Sequence, residues 1–270
     1  MKAAVLGQPI AHSKSPTLHR AAYELLGVPI DYQRIELSRE QAVAFTERLR
    51  TEHWVGCSVT MPLKDVFVAQ MDSVSDTVRR MGALNTIVVR PDGTLHAENT
   101  DIYGIVQALA DAGLTHSRRG TILGAGNTAL AAVEALAQVG VRELELIVRD
   151  ISRAASTLNF ARNLGMRANA RLLGSITDAP VVISTLPPSA ADDWVAQLGS
   201  GRGILLDVAY DPWPSVLAQH WSGPVINGLA MLVHQAVEQV RFFSGQDFDD
   251  RQRQNVTNAM FNAVGLHRGQ

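Results

Sequence analysis

The sequence predicts an α/β protein of two domains, each a mainly parallel sheet covered by helices. Three observations carry this. Short apolar runs alternate with amphipathic helical patterns through the first hundred residues. A second alternation of the same kind starts after the polar stretch 115–120. Within it, an apolar strand meets a helix through Gly124-Ala125-Gly126. A cleft between two such domains is where a ligand is expected.

In the first half, strands are expected at 2–6, 31–36, 55–59 and 84–89, with a hairpin turn at Gly93. Helical spacing of apolar residues marks 16–26 and 40–49 between them. A helix at 102–112 ends at Gly113. The second half offers strands at 121–123, 143–148, 181–184, 204–207 and 225–226, and helices at 128–139 and 152–164. Two long amphipathic helices, near 230–243 and 249–264, close the chain.

The chain has 270 residues, 46% of them hydrophobic, which is enough to bury sizeable cores. Its formal charge is -2 and its basic residues are scattered, so nothing argues for nucleic acid. No apolar run reaches the roughly 18 residues of a membrane span. Cys57 is the single cysteine and lies in an apolar run, so it reads as an inert core thiol and an intrachain disulfide is ruled out. This fits a cytoplasmic protein. The eight histidines show no metal-binding spacing, and no metal is expected. His12 reads as loop packing and His19 as a helix face. The sequence leaves monomer and homodimer open.

In Thr121-Ile122-Leu123-Gly124-Ala125-Gly126-Asn127-Thr128, Gly124 permits a tight turn and Gly126 lets a pyrophosphate approach the backbone. The helix that follows offers that phosphate free N–H groups and the positive end of its dipole. This is a Rossmann-like dinucleotide-binding pattern. The next strand ends in Arg149-Asp150-Ile151-Ser152-Arg153. Arg149 and Arg153 suit the 2′-phosphate of NADP; Asp150 suits the ribose hydroxyls of NAD or caps the next helix. NADP is favoured, with NAD the alternative.

The first domain carries a second group of signals. Ser13 and Ser15 flank a helix start in His12-Ser13-Lys14-Ser15-Pro16, a good seat for a carboxylate, with Ser15 expected as the helix cap. Lys64 follows a proline break in Val59-Thr60-Met61-Pro62-Leu63-Lys64. Asn85 and Asp101 lie at the end of a strand or the start of a helix.

Taken in order, Pro9…His12-Ser13-x-Ser15-Pro16…His19, Val59-Thr60-x-Pro62-x-Lys64, Gly82-Ala83-x-Asn85-Thr86, Asn99-Thr100-Asp101-x-x-Gly104, the glycine loop and Gly228-Leu229-x-Met231-Leu232-x-x-Gln235 resemble the shikimate dehydrogenase family over nearly the whole chain. The resemblance implies reversible NADP-linked reduction of 3-dehydroshikimate to shikimate, on the route to aromatic amino acids. It assigns Ser13 and Ser15 to the substrate carboxylate and Thr60, Lys64, Asn85, Asp101 and Gln235 to the ring hydroxyls, with Lys64 and Asp101 as the catalytic pair. It places Tyr210 at a substrate position. Asp76, Thr185, Val208, Gly228 and Met231 join Gly124, Ala125, Gly126, Asn127, Thr128, Arg149, Asp150 and Arg153 on the cofactor side. It implies a substrate domain of residues 1–101 plus 228–270, to which the last two helices return, and a dinucleotide domain of 102–227.

The departures from the family pattern lie mostly on the cofactor side. Asn127 stands where a third glycine is common, Val148 and Asp150 where NADP-specific members often show Asn and Thr, and Thr185-Leu186-Pro187-Pro188 where Asn-Ala-Thr-Ser is common. Ser58 replaces a usual Asn. Two rivals follow: an NAD-linked quinate/shikimate dehydrogenase, and a non-catalytic dinucleotide-binding regulator on the same fold.

Overall fold

The computed structural model describes residues 1–176 and 179–267. Two compact units appear, Met1–Asp101 with Val233–His267, and Ile102–Leu232. Residues 268–270, at the end of the expected first domain, lie outside the described residues.

The first unit runs β1 (Lys2–Gly7), α1 (Ser15–Leu26), β2 (Asp31–Glu36), α2 (Ala42–Thr51), β3 (Trp54–Val59), β4 (Ser73–Val74), α3 (Asp76–Met81), β5 (Thr86–Val89) and β6 (Leu95–Glu98). Its sheet has the order β2-β1-β3-β5-β6-β4. β1 is parallel to β2 and β3, and β4 to β6, while β5 is antiparallel to β3 and β6. Gly93, at φ 81°, turns the β5–β6 hairpin as expected. β1 reads Ala-Ala-Val-Leu without alternation because both of its faces are buried, the usual state of a central parallel strand. Leu6, Leu49, Cys57, Leu63, Phe67 and Leu84 form the centre of its core. Burial pushes the Cys57 thiol well above its ordinary pKa, which keeps it protonated and inert.

α4 (Asp101–Asp111) carries the chain into the second unit. There follow β7 (Arg119–Leu123), α5 (Asn127–Gln138), β8 (Glu143–Val148), α6 (Ala155–Asn163), β9 (Arg167–Leu172), β10 (Val181–Ser184), α7 (Val195–Leu198), β11 (Ile204–Asp207), α8 (Val216–His220) and β12 (Val225–Asn227). The sheet is wholly parallel, in the order β12-β11-β10-β7-β8-β9. Counted from β7, this is the doubly wound order 3-2-1-4-5-6, whose strand order reverses between the first and fourth strands. α9 (Gly228–Ser244) then returns the chain to the first unit at Val233, and α10 (Asp250–Ala263) packs on α1.

Several elements escape the sequence pattern. β9 reads Arg-Ala-Asn-Ala-Arg-Leu, without the β-branched residues that mark a strand; it is a polar edge. β4, α3, α7 and α8 are too short for periodicity to show. The helix expected from 152 opens as a 3-10 turn, Ile151–Ala154, and becomes α-helical at Ala155. Ser15 is not the cap of α1: it is the first helical residue, and Lys14 occupies the cap position without a side-chain hydrogen bond.

His19 on α1 is wholly buried, not merely on a helix face, whereas His12 is exposed in its loop. The His19 ring stacks on Tyr32 at 3.9 Å between centroids. Its Nε2 lies 3.3 Å from Gln239 Oε1, an acceptor, so Nε2 carries the proton and Nδ1 accepts from Tyr23 Oη at 3.0 Å. Burial lowers the His19 pKa from 6.5 to about 3, against the opposing effect of the Gln239 hydrogen bond. The unfolded chain therefore binds a proton that the folded chain refuses, and stability falls as pH drops from 6.5 towards about 3. Between about pH 7.5 and about pH 5, urea melts of the native protein should lose roughly 2 kcal/mol that His19→Asn does not lose. Equal losses in the two proteins would show that His19 stays solvated or paired when charged.

Candidate active site

In the first unit the chain leaves β3 at Val59, and the Thr60 N–H donates to Leu6 O at 2.9 Å, keeping Thr60 beside the end of β1. Gly7 sits against it: a Cβ there would come within 2.5 Å of Thr60 Cγ2, so only glycine lets the two strand ends close up. After the cis Met61–Pro62 bond, Leu63 and Phe67 anchor the segment in the core and Lys64 projects between them, its carbonyl accepting from Leu84 N–H at 2.8 Å. Asn99 Oδ1 accepts the Asp101 N–H at 3.1 Å and so begins α4 with Asp101 as its first residue.

These two local structures bring Lys64 Nζ to 2.5 Å from Asp101 Oδ2, with side-chain exposures of 12% and 9%. Asp101 Oδ1 accepts from Asn85 Nδ2 at 2.8 Å. Asn85 Oδ1 in turn accepts the Thr100 N–H and the Thr86 hydroxyl, each at 2.8 Å. Gln235, from α9, brings Oε1 to 3.3 Å from both Asn85 Nδ2 and Thr100 Oγ1. Lys64, Asn85, Asp101 and Gln235, far apart in sequence, are thus one hydrogen-bonded cluster. Its donors and its acceptor carboxylate suit a polyhydroxylated ligand, and its amine can hold or give a proton.

Ser13 and Ser15 occupy the start of α1. Ser13 Oγ accepts the Ser15 N–H at 3.3 Å, and Arg34 grips the Ser13 carbonyl through Nε at 3.0 Å and Nη2 at 2.6 Å. Ser15 is buried and shares a hydrogen bond with the Tyr32 hydroxyl. Asp76 is different in kind: it is a highly exposed first residue of α3 in a 3.2 Å pair with Arg79.

The second unit places the remaining residues. Gly124 has φ 103°, and a Cβ on it would lie 2.7 Å from Thr185 Oγ1. Thr185 donates to Leu123 O through both its N–H (2.9 Å) and its hydroxyl (2.8 Å), lacing the ends of β7 and β10 together where the strand order reverses. Gly126 caps α5 with nothing within 4 Å of its Cβ position and no side-chain cap hydrogen bond, and the first-turn amides of Asn127 and Thr128 have no intrahelical partner. Ala125 O accepts from Thr157 Oγ1 at 3.2 Å, fixing the loop from behind. This loop suits a pyrophosphate.

Arg149 and Arg153 are exposed beyond β8, and the Arg149 guanidinium lies 5.9 Å from the Trp194 ring centroid. Asp150 is the cap of the 3-10 turn: its Oδ1 accepts from Ser152 N at 2.9 Å and Oγ at 2.7 Å, and these bonds lower its pKa. After β11, Val208 N–H donates to Ser184 O at 3.0 Å, and a Cβ on Gly228 would meet Val208 O at 2.2 Å, so these two positions touch. Met231 is buried on α9, and Tyr210 is half-buried, with its hydroxyl pKa raised by that burial. Among the described residues no group of three or more His, Cys, Asp or Glu is placed to hold a metal ion, and no helix is long and apolar enough to cross a membrane.

Sequence reasoning did not single out Ser58, Thr86, Thr100 or Gln239 as site residues, although all four are buried and hydrogen-bonded around Asn85 or one step beyond it. The available signal was polar residues within apolar runs and the four-residue spacing of Gln235 and Gln239 on one helix.

Residues 5–87 match the model of the shikimate dehydrogenase substrate binding domain. Over 259 residues the chain is 33% identical to a shikimate dehydrogenase (NADP(+)) of Paramagnetospirillum magneticum, covering 90% of this chain and 92% of that protein. It is also 33% identical over 259 residues to the pentafunctional AROM polypeptide of Yarrowia lipolytica, matching 89% of this chain but spanning only 16% of the length of that much longer protein. The crystal structure of Mycobacterium tuberculosis shikimate dehydrogenase superposes with a TM-score of 0.85 at 35% identity, covering 96% of this chain and 99% of that one. With a full-length relative at this identity and the same fold throughout, the chain belongs to the shikimate dehydrogenase family.

Proposed function

We propose that this protein is a shikimate dehydrogenase that reversibly reduces 3-dehydroshikimate to shikimate with NADPH, in the cytoplasm, as a step towards aromatic amino acids. The observation that carries the reading is the Lys64–Asp101 pair, 2.5 Å apart and held by Asn85 and, through it, Thr100 and Gln235. The first unit is the substrate domain and the second the dinucleotide domain. When bound, the cofactor supplies or takes up the hydride.

The chain's own residues do the rest. Ser13 and Ser15, at the start of α1, receive the ring carboxylate. Thr60, Asn85, Asp101 and Gln235 hold the ring hydroxyls, and Tyr210 is a further substrate residue. Lys64 Nζ gives its proton to the ketone oxygen borne by the ring as negative charge develops there during reduction, and takes it back from the hydroxyl during oxidation. Asp101 fixes the direction of that amine. The Gly124–Thr128 loop seats the pyrophosphate on the amides of α5. Thr185, Val208, Gly228 and Met231 border the cofactor, and Asp76 is a further cofactor residue. Arg149 and Arg153 take the 2′-phosphate.

Asp150 keeps one other reading in play. Its hydrogen bonds hold it ionised, and an anion there favours ribose hydroxyls over a phosphate, as in an NAD-linked quinate/shikimate dehydrogenase. Initial rates with shikimate or quinate, each with NADP or NAD, separate the cases. Fastest turnover is expected for shikimate with NADP; quinate with NAD as the best pair would replace the proposal, and bound NADPH without turnover would favour a non-catalytic regulator.

Lys64→Ala should lower kcat roughly 100-fold or more, the usual scale for an acid–base group, with a smaller change in KM. An unchanged kcat would remove Lys64 from the chemistry. Ser13→Ala and Ser15→Ala should instead raise KM for shikimate more than they lower kcat. Turnover of methyl shikimate as efficient as that of shikimate would show that the hydroxyls do not seat a carboxylate.

A further inference from the structure

Gln239 lies on α9 one turn beyond Gln235, on the same helix face. It is 1% exposed and uses its whole hydrogen-bonding capacity. Oε1 accepts from Ser58 Oγ at 2.6 Å and from His19 Nε2 at 3.3 Å. Nε2 donates to Asn85 O at 3.2 Å and to Thr86 Oγ1 at 3.0 Å. One amide thereby joins α1, β3 and the entry to β5.

The donors in this network run in one direction. Tyr32 Oη donates to Ser58 Oγ at 2.6 Å, and Ser58 to Gln239 Oε1. A hydroxyl donor on Oε1 fixes which end of the Gln239 amide faces β3, so Nε2 must face Asn85 and Thr86. Thr86, having accepted from Gln239, points its own hydrogen at Asn85 Oδ1, 2.8 Å away. With Oδ1 so occupied, Asn85 Nδ2 turns to Asp101 Oδ1, and Asp101 Oδ2 meets Lys64 Nζ. Gln239 also holds the main chain of Asn85 through its carbonyl.

Resting on the proposed function above, we infer that Gln239 is a positioning residue for the reaction: its amide orients Asn85, and through Asn85 and Asp101 it sets the place of the Lys64 amine. Its hydrogen bonds go to His19, Ser58, Asn85 and Thr86, and it acts through the relay.

Two variants at this position and one control test the inference. Gln239→Leu removes the whole amide. Gln239→Glu keeps the acceptor towards Ser58 and His19 and loses the paired donors towards Asn85 and Thr86; it decides the matter if the leucine variant does not fold. Phe45→Leu, in the hydrophobic core of the same unit and away from the relay, supplies a loss of stability alone. With shikimate and NADP, both Gln239 variants are expected to lose about 10-fold or more in kcat with KM within about threefold, because misplacement by an ångström costs up to about 100-fold. Phe45→Leu should lower the melting temperature and keep kcat.

A second measurement needs no turnover: the rate at which an amine-directed acylating reagent labels Lys64, read by peptide mass spectrometry. It is expected to rise several-fold in both Gln239 variants and to stay at the native rate in Phe45→Leu. Unchanged Lys64 labelling overturns the inference whatever the kinetics, and so does a kcat that follows the control. A native protein that turns over no ring acid would sink the proposed function, and the labelling would then decide the inference by itself.

Discussion

An amine and a carboxylate 2.5 Å apart, each about nine-tenths withdrawn from water, form the contact around which the first unit is arranged. Such a pair is costly to desolvate, and its attraction offsets that cost only when the remaining lone pairs and hydrogens also find partners. Here they do. The second oxygen of Asp101 accepts from Asn85, and its backbone N–H is taken by Asn99. Asn85 is gripped by Thr86 and Thr100. The result is a charged pair whose geometry is set before any ligand arrives, which is what lets a single amine act on a developing oxyanion without reorganisation.

The same unit protects this arrangement with a buried polar core. Tyr32, His19, Ser58 and Gln239 are all buried, and each finds hydrogen-bond partners. In a low-dielectric interior such bonds reinforce one another, and an amide in the middle has few alternative orientations. A neutral, stacked His19 belongs to this logic: its charge would be unsupported there, so burial holds its pKa down to about 3.

The second unit works by leaving room. Gly124 and Gly126 do opposite things one and three residues after the end of a core strand. The first has no space for a side chain, because Thr185 closes on it to tie β7 to β10; the second faces empty space at the cap of α5. Both lie at the reversal of strand order, the place in an open parallel sheet where strand ends diverge and a ligand fits. Gly228 repeats the first device against the Val208 carbonyl.

The sequence by itself determined the α/β class, most of the long elements, the glycine turn and the identity of the central residues. Periodicity, glycine placement and ordered motifs are local quantities, legible in one dimension; the strand at 143–148 and the hairpin at Gly93 stand where their patterns put them. It did not reveal β9, whose edge position excuses a polar composition, or that Lys14 rather than Ser15 sits at the cap of α1. Nor could it decide whether Asp150 caps a turn, since a carboxylate after a strand looks the same in either role. The family resemblance groups Lys64, Asn85, Asp101 and Gln235, but only tertiary structure decided the contacts by which they meet and that Gln239 stands behind them. Hydrogen bonds between residues 16 to 154 positions apart depend on how sheets and helices pack, and no local pattern encodes those distances.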